Sequence, residues 1–137
     1  MKAVVFDATA GAEIVQGTDY GQAMEALVSP GETIIAPDFY RIEIRSVFWK
    51  YACFDAMPEA KAFTFISEAM KLIDRFYDMG DLADEALLEA LRQRHPIYDM
   101  LYLCLGRRYN ATVFTLDRKL QDACIEAGVN CICAVDF

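Results

Sequence analysis

Short, uninterrupted apolar runs that alternate with helical patterns constrain the fold of this chain more than any other feature. Residues 3–6, 33–36 and 112–116 are rich in apolar and β-branched side chains, as buried strands are, and residues 130–135 form a similar run. Residues 72–77 are a weaker strand candidate, expected at an edge. Because helical segments separate these runs, the pattern predicts a mainly parallel sheet of about five strands with helices on both faces.

Periodic apolar positions, capping residues and helix breakers predict helices between the strands. The predicted helices cover residues 9–15 with Thr9 as N-cap, 20–27, 37–54, 58 onward, 81–94 with Asp81 as N-cap, about 98–110, and 118–127. The helix that begins near Tyr98 is apolar nearly all round, so we expect it to be buried. Gly106 and Asn110 mark its end, and Gly128 closes the last helix.

The length of 137 residues and the hydrophobic content of 55% predict a single domain, residues 1–137, that can bury a sizeable core. No apolar run approaches the ~18 residues of a membrane span. Asp7 interrupts the first apolar run too early for a signal peptide. We therefore expect no membrane partner and a cytoplasmic location.

The single histidine, His95, and the five cysteines exclude several kinds of site. A multi-histidine zinc site is impossible, and His95 precedes Pro96 with no nucleophile signature nearby, which argues against serine or cysteine catalysis. The odd number of cysteines in mostly apolar stretches suits reduced core thiols. Cys131 and Cys133 share one face of a predicted strand, but no second cysteine pair accompanies them. Any metal ion is expected to have oxygen ligands, which suit Mg²⁺ or Mn²⁺.

Four acidic residues occur where such a fold can bring them together. Asp7 and Asp117 follow two predicted strands, Glu43 lies at most two turns into the helix after the second strand, and Asp99 lies in the first turn of the buried helix. Functional groups in parallel sheets collect beyond the carboxyl ends of the strands, so all four can reach one rim. Taken singly, each has an ordinary explanation as a helix cap, a first-turn acid or a surface neighbour of arginines. Together, four such carboxylates repel severely without a cation.

These acids lie within four short motifs. The motifs are Val5-Phe6-Asp7-Ala8-Thr9, Ala36-Pro37 followed by Glu43, Tyr98-Asp99 with Leu101-Tyr102-Leu103, and Thr115-Leu116-Asp117-Arg118-Lys119-Leu120. Their order and spacing resemble the pattern of PIN domains, most closely the VapC-type ribonuclease toxins, over nearly the whole chain. One position departs from the pattern: the family often has Asn three residues after the helix glutamate, where this chain has Ser46.

The resemblance implies a three-layer α/β/α sandwich and a metal-dependent endoribonuclease, the toxin of a type II toxin–antitoxin pair. Asp7, Asp99 and Asp117 are then the expected ligands of Mg²⁺ or Mn²⁺. Glu43 is expected to be a further ligand or the residue that orients the attacking water. The side chains expected to support these acids by hydrogen bonds are Thr9, Ser46 and Thr115. A small antitoxin protein is the expected inhibitor.

The net charge of −8 is unusual for a protein that acts on RNA, because phosphate affinity usually comes from basic surface. The basic residues that flank the proposed site, and that we expect to contact RNA, are Arg41, Arg45, Arg118 and Lys119. The acids between residues 74 and 89 are explained as a solvated surface. The acidic balance argues against strong nonspecific binding, so a narrow substrate such as a structured tRNA or rRNA loop is expected.

The predicted helix 37–54 has more apolar surface than one core-facing stripe requires. Its large apolar residues include Phe39, Ile42, Phe48, Trp49 and Phe54, which cover more than one helical face. The surplus predicts contact with a partner chain, as a homodimer, with an antitoxin helix, or with both.

Two other functions stay open. One is a catalytically silent PIN-like module that binds or assembles through the aromatic helix, against which the presence of all four acids argues. The other is a phosphatase-like or receiver-like domain, which also has acids at strand ends. That class requires one Asp nucleophile or acceptor with a downstream Lys, and it gives the buried Tyr98-Asp99 helix no role.

Overall fold

The computed structural model describes residues 1–133, whose strands form one sheet. The strands are β1 (Ala3–Phe6), β2 (Thr33–Pro37), β3 (Arg75–Tyr77), β4 (Thr112–Thr115) and β5 (Cys131–Cys133). They lie in the order β3-β2-β1-β4-β5, and every neighbouring pair is parallel. The predicted parallel sheet of about five strands, with residues 72–77 contributing an edge strand, is confirmed.

Helices cover both faces of this sheet because the crossovers are right-handed and the direction in which strands are added reverses after β3. The helices are α1 (Ala8–Gln16), α2 (Asp19–Ala26), α3 (Tyr40–Phe54), α4 (Glu59–Lys71), α5 (Ala83–Gln93), α6 (Ile97–Tyr109) and α7 (Arg118–Ala127). The chain runs from β1 to β2 to β3 through α1–α4, which pack together on one face. It then returns to β4 and β5 through α5–α7, which cover the other face. The predicted three-layer α/β/α sandwich is confirmed.

The helix α6 is buried along residues 100–106 and packs across β1, β2 and β4, as its all-round apolar pattern predicted. Gly106, expected at the end of this helix, lies inside it instead. A Cβ at Gly106 would lie 2.8 Å from Cγ2 of Val113, so only glycine lets α6 approach β4 this closely. The helix ends at Asn110, which has a left-handed φ of 50°.

The N-cap of α1 was wrongly predicted. Asp7 caps this helix instead of Thr9, because the Asp7 carboxylate accepts a hydrogen bond from the backbone N–H of Ala10. Thr9 lies within the helix and contacts Asp7 through its hydroxyl. The residue expected to be a metal ligand therefore also fixes the start of α1.

The start of α5 was also wrongly predicted. A short 3-10 turn at Met79–Asp81 precedes this helix, and its N-cap is Asp78, whose side chain accepts from the N–H of Gly80. Asp81 therefore closes the 3-10 turn and does not cap α5, which begins at Ala83. Every predicted element boundary among the described residues lies within three residues of the observed one.

The last predicted strand, residues 130–135, corresponds to β5 as far as residue 133, and residues 134 and 135 lie outside the described residues. The side chain of Cys133, predicted to share one strand face with Cys131, also lies outside the described residues. Cys104 and Cys124 are buried as expected, whereas Cys53 is exposed. Along residues 1–133, no helix has the length and apolar character needed to cross a membrane.

Candidate functional site

The carboxyl ends of β1 and β4 meet where the strand order reverses, which is where parallel sheets bind ligands. Asp7 directly follows β1, and its backbone N–H donates to the carbonyl of Phe114 in β4 at 3.2 Å. Asp117 follows the end of β4 by two residues. The fold therefore brings two of the four predicted acids to the same crevice.

The carboxylate of Asp7 is buried, and both of its oxygens accept hydrogen bonds. Oδ1 accepts from the hydroxyl of Thr9 at 2.7 Å and from the N–H of Ala10 at 2.9 Å. Oδ2 accepts from the hydroxyl of Thr115. The N–H of Leu116 donates to Thr9 Oγ1 at 2.9 Å, which holds Thr9 in turn. Two of the three predicted supporting residues, Thr9 and Thr115, thus contact Asp7 directly.

Glu43 lies in the first turn of α3 and is held between two other helices. The hydroxyl of Tyr102 in α6 donates to its Oε1 at 2.6 Å. The backbone N–H of Ala8, at the start of α1, also donates to the Glu43 carboxylate. Glu43 is therefore a partly buried acid with two fixed donors, and the interpretation as a solvated surface neighbour of two arginines is wrong.

Asp99 lies in the first turn of α6, as predicted, and is paired with the only histidine of the chain. His95 Nε2 lies 3.6 Å from Asp99 Oδ2. The other ring nitrogen of His95, Nδ1, lies 2.9 Å from the carbonyl oxygen of Pro96. In the sequence, His95 was considered only as a catalytic base for a serine or cysteine nucleophile. In the structure it lies beside Asp99, a predicted metal ligand.

Asp117 is the N-cap of α7, since its Oδ1 accepts from the N–H of Lys119 at 2.9 Å. Its own N–H donates to the hydroxyl oxygen of Thr115 at 3.0 Å. Thr115 therefore links Asp117 to Asp7 through one side chain. The ordinary explanation of Asp117 as a helix cap is correct, and it is compatible with a second role because one carboxylate oxygen has no part in the cap.

The four carboxylates form one electrostatic cluster. Burial raises the pKa of Asp7 to about 7, and the charge of Glu43 adds to the rise. Burial likewise raises the pKa of Glu43, and the charges of Asp99 and Asp117 raise it further. The pKa of Asp99 is raised by burial and by the charge of Asp117, against the opposing effect of His95. Each acid thus makes ionisation of at least one other acid less favourable.

The cluster supplies carboxylate oxygens, which are typical ligands of divalent cations, but the side chains are not arranged as a complete coordination sphere. Along the described part of the chain, no three His, Cys, Asp or Glu side chains are already arranged so that they could hold a metal ion. Carboxylate oxygens are the donors that Mg²⁺ and Mn²⁺ prefer, and a bound cation offsets the repulsion that raises these pKa values. The chemistry of these side chains therefore suits such an ion.

The basic residues near the site fall into two groups. Arg118 and Lys119 are exposed in the first turn of α7, and the positive charge of Lys119 acts on Asp99. Arg41 instead lies over the ring of Phe76 in β3, 4.0 Å from its centroid. The first group thus lies beside the acids, and Arg41 extends toward the β3 edge.

Two other predicted residues lie on the outer side of α3. The Nη1 of Arg45 donates to the carbonyl oxygen of Arg41, one turn earlier in the same helix. Ser46, which replaces the family asparagine, is exposed one turn beyond Glu43. Thr9 and Thr115 donate hydrogen bonds to Asp7. Ser46 is exposed on α3 instead.

The raised pKa of Asp7 predicts a pH-dependent stability in the presence of a chelator. A folded-state pKa of about 7 against 3.8 means that the folded chain binds more protons than the unfolded chain between these values, so stability falls as pH rises. At about 1.4 kcal/mol per pKa unit, Asp7 alone lowers the free energy of unfolding by about 4 kcal/mol across this window. Urea unfolding at a series of pH values measures it.

The raised pKa values of Glu43 and Asp99 act in the same direction. Glu89 affects stability in the opposite direction. The hydrogen bond from Arg107 lowers the pKa of Glu89, so its contribution to the stability of the fold is lost only at pH values below the usual titration range of a glutamate. The window from about pH 5 to 7 therefore isolates the site. Asp7→Asn is expected to remove most of the change in the free energy of unfolding with pH, whatever the absolute stability of this variant. A wild-type free energy of unfolding that does not change with pH contradicts the prediction.

Sequence reasoning missed Tyr102 and His95 as contacts of the acids. Tyr102 belongs to the motif around Tyr98-Asp99, and its spacing of three residues from Asp99 places both on adjacent turns of one helix. Its bond to Glu43 joins residues 59 positions apart, which no local pattern reveals. His95 precedes Asp99 by four residues but lies before Pro96, outside α6, so no helical spacing indicated their contact.

Comparisons with known proteins give one sequence relative and several structural ones, and no protein-family model matches the chain. The chain is 25% identical over 124 residues to ribonuclease VapC3 of Pyrobaculum aerophilum, covering 89% of this chain and 94% of that protein.

Three crystal or complex structures share the fold. PAE2754 of Pyrobaculum aerophilum has a TM-score of 0.67 at 20% identity, with 88% of this chain and 86% of that chain covered. VapBC2 of Rickettsia felis, bound to a DNA fragment from its promoter, has a TM-score of 0.66 at 12% identity, with 95% and 97% covered. A toxin–antitoxin complex from Klebsiella pneumoniae has a TM-score of 0.64 at 13% identity, with 98% and 99% covered. Through its sequence relative and its fold, the chain is identified as a distant homologue of ribonuclease VapC3 with a PIN-like α/β fold.

Proposed function

We propose that this chain is a divalent-metal-dependent endoribonuclease and the toxin component of a type II toxin–antitoxin pair. The observation that carries the proposal is the cluster of four carboxylates from separate elements at the carboxyl ends of β1 and β4. Three of these acids have raised pKa values because of burial and because of one another. A partly buried acidic cluster of this kind is costly unless it binds a cation. The distant VapC3 relative, itself a ribonuclease, supports the same function.

Asp7, Asp99 and Asp117 are the residues that would hold Mg²⁺ or Mn²⁺, with Glu43 as a further ligand or as the group that orients the attacking water. A bound divalent ion lowers the pKa of its water and offsets the charge that develops on the phosphate. The protein's own contribution is orientation. Thr9 and Thr115 fix the buried carboxylate of Asp7, and the α7 cap fixes Asp117.

The substrate of this activity is RNA in the cytoplasm. Arg118 and Lys119 lie in the first turn of α7, next to Asp117, where they can neutralise phosphates on either side of the cleaved bond. Arg41 supplies positive charge toward the β3 edge, whereas Arg45 lies at the groove between α3 and α4. With a net charge of −8, affinity for RNA in general is weak, which favours a folded target such as a tRNA or rRNA loop.

Metal-dependent cleavage tests the proposal. The purified chain is incubated with tRNA transcripts and ribosomal RNA in millimolar Mg²⁺, in millimolar Mn²⁺, and in chelator, and products are resolved on a gel. Discrete fragments in either ion and none in chelator are expected. If RNA stays intact under every condition while the protein binds a partner, the chain is instead a catalytically silent binding module.

An apolar groove between α3 and α4 supports the proposed antitoxin partner. The groove has a volume of about 330 Å³, and its lining residues are Arg45, Phe48, Trp49, Ala52, Glu59, Ala62, Phe63 and Ile66. Trp49 is 56% exposed and Phe63 66% exposed, which is unusual for side chains of this size. Apolar grooves of this kind accept amphipathic helices. Two structural neighbours are complexes of a toxin with its antitoxin, which supports an antitoxin as the partner. A homodimer through this or another face is also expected.

Replacing Trp49 with glutamate is expected to weaken antitoxin binding at least about 100-fold, because a charge in the groove must be desolvated without a partner. Trp49 is a clean target, whereas Phe48 is fully buried and its replacement damages the core. The measurement is calorimetric titration with the small protein encoded beside this chain. Ile125→Glu, on the exposed face of α7, is the matched control and should bind as wild type. Equal affinities for Trp49→Glu and wild type exclude the groove.

A further inference from the structure

Tyr102 is a fully buried tyrosine whose hydroxyl is bonded to one of the four acids. Its O–H donates to Glu43 Oε1 at 2.6 Å, across the contact between α6 and α3. A buried tyrosine hydroxyl needs an acceptor, and any backbone carbonyl can serve. Tyr40 has that ordinary arrangement: it is equally buried, and its hydroxyl donates to the carbonyl oxygen of Ala69 at 2.9 Å. The acceptor of Tyr102 is instead a carboxylate of the proposed site.

The position of the Tyr102 ring is fixed by its neighbours. The ring of Phe39, at the start of α3, meets the Tyr102 ring edge to face with centroids 6.4 Å apart. Phe39 also stacks on Tyr98 at 5.1 Å, and Tyr98 directly precedes Asp99. The phenol therefore cannot swing away from Glu43 without repacking the contact between α3 and α6.

Glu43 depends on this contact for its orientation. A glutamate side chain has several rotatable bonds, and ordering it for metal or water binding costs entropy unless the protein has already fixed it. The donors that fix it in this structure are the Tyr102 hydroxyl, on α6, and the backbone N–H of Ala8, on α1. Only the first is a side chain that a substitution can remove.

We infer that Tyr102 is a positioning residue of the proposed metal site, whose hydroxyl holds the carboxylate of Glu43 ready for the ion or for its bound water. This inference rests on the proposed function and extends it to a residue that is not itself a metal ligand. Tyr102 does not touch the ion or the RNA and acts through Glu43 alone. Hydrogen-bond donors that orient metal-binding carboxylates usually contribute 10- to 100-fold in metal affinity or activity.

The test compares Tyr102→Phe with Tyr40→Phe, because each removes one hydroxyl from a fully buried tyrosine and leaves the ring. The readouts are the Mn²⁺ dissociation constant, from the electron paramagnetic resonance signal of free Mn²⁺, and kcat and KM for cleavage of a tRNA transcript pool. Tyr102→Phe is expected to weaken Mn²⁺ binding or lower kcat by about 10- to 100-fold with KM for RNA unchanged. Tyr40→Phe is expected to stay within about threefold of wild type in both.

A double-mutant cycle shows whether Tyr102 acts through Glu43. Glu43→Gln removes the charged acceptor, so adding Tyr102→Phe to it should change Mn²⁺ affinity and kcat by less than about twofold. A full additional loss in the Glu43→Gln background overturns the inference, as does a Tyr102→Phe protein that behaves like Tyr40→Phe. If Tyr102→Phe does not fold, Glu43→Asp tests the link from the other side, since it withdraws the carboxylate from the phenol. Wild-type Mn²⁺ affinity and kcat in Glu43→Asp then overturn the inference.

The two proposals fail in different ways. A wild-type chain that shows neither saturable Mn²⁺ binding nor metal-dependent cleavage overturns the proposed function, and the inference falls with it. A wild-type chain that binds Mn²⁺ and cleaves RNA, but whose Tyr102→Phe and Tyr40→Phe variants agree, overturns only the role of Tyr102.

Discussion

Asp99→Asn and Asp117→Asn are each expected to reduce Mg²⁺- or Mn²⁺-dependent RNA cleavage by more than about 100-fold, with the fold intact. An amide keeps the shape of the carboxyl group but removes the charge that attracts the ion. Asparagine is also a good helix N-cap, so Asp117→Asn retains the hydrogen bond from Lys119 that starts α7. Expression toxicity, where the wild type shows it, should disappear with the cleavage.

The matched control for these variants is Asp122→Asn, which removes the same charge from an exposed position on α7. It should cleave RNA as wild type does. Far-ultraviolet circular dichroism of all three variants checks that the fold is unchanged. Full cleavage by a well-folded Asp99→Asn protein contradicts the assignment of the site.

Much of the fold was predictable because strands and crossovers are encoded locally. Residues 3–6 and 34–36 are continuous apolar runs, which are typical of a sheet covered on both faces. Once the strands are parallel, the right-handed crossover rule sets which face each helix covers. The errors at Thr9 and Asp81 arose where two neighbouring polar residues could both cap a helix, because the choice depends on backbone geometry that the sequence does not carry.

The acids of the site were predictable in part for the same topological reason. Asp7 and Asp117 follow neighbouring parallel strands, so their proximity follows from the strand order. The groups that hold them were harder to predict. The hydrogen bond from Thr115 to Asp7 joins residues 108 positions apart in the sequence, and the one from Tyr102 to Glu43 joins residues 59 positions apart. Such contacts depend on side-chain packing between helices and strands, which periodicity does not specify.

A large metal-dependent shift in melting temperature is the second major expectation. Under the proposed function, Mn²⁺ is expected to bind the folded cluster and to have no equivalent site in the unfolded chain, so at 100 times its dissociation constant it should stabilise the fold by about 2.7 kcal/mol. For a chain of this length that corresponds to a rise on the order of 10 °C. Mg²⁺ is expected to act in the same direction.

Asp117→Asn is expected to respond differently from wild type in both conditions. In chelator it should melt at a higher temperature than wild type, because the charge of Asp117 adds to the burial that raises the pKa values of Glu43 and Asp99, and its removal relieves that repulsion. With Mn²⁺ it should gain little, since one ligand is missing. If the four acids were separate caps and surface charges, the substitution would destabilise the chain and the ion would act alike on both proteins.

Thermal melts of wild type and Asp117→Asn, each with Mn²⁺ and with chelator, therefore test the shared carboxylate site most directly, without knowledge of the RNA. If the four acids form one metal site, Asp117→Asn melts above wild type in chelator and below it in Mn²⁺. Equal shifts of the two proteins on adding Mn²⁺ contradict a shared carboxylate site.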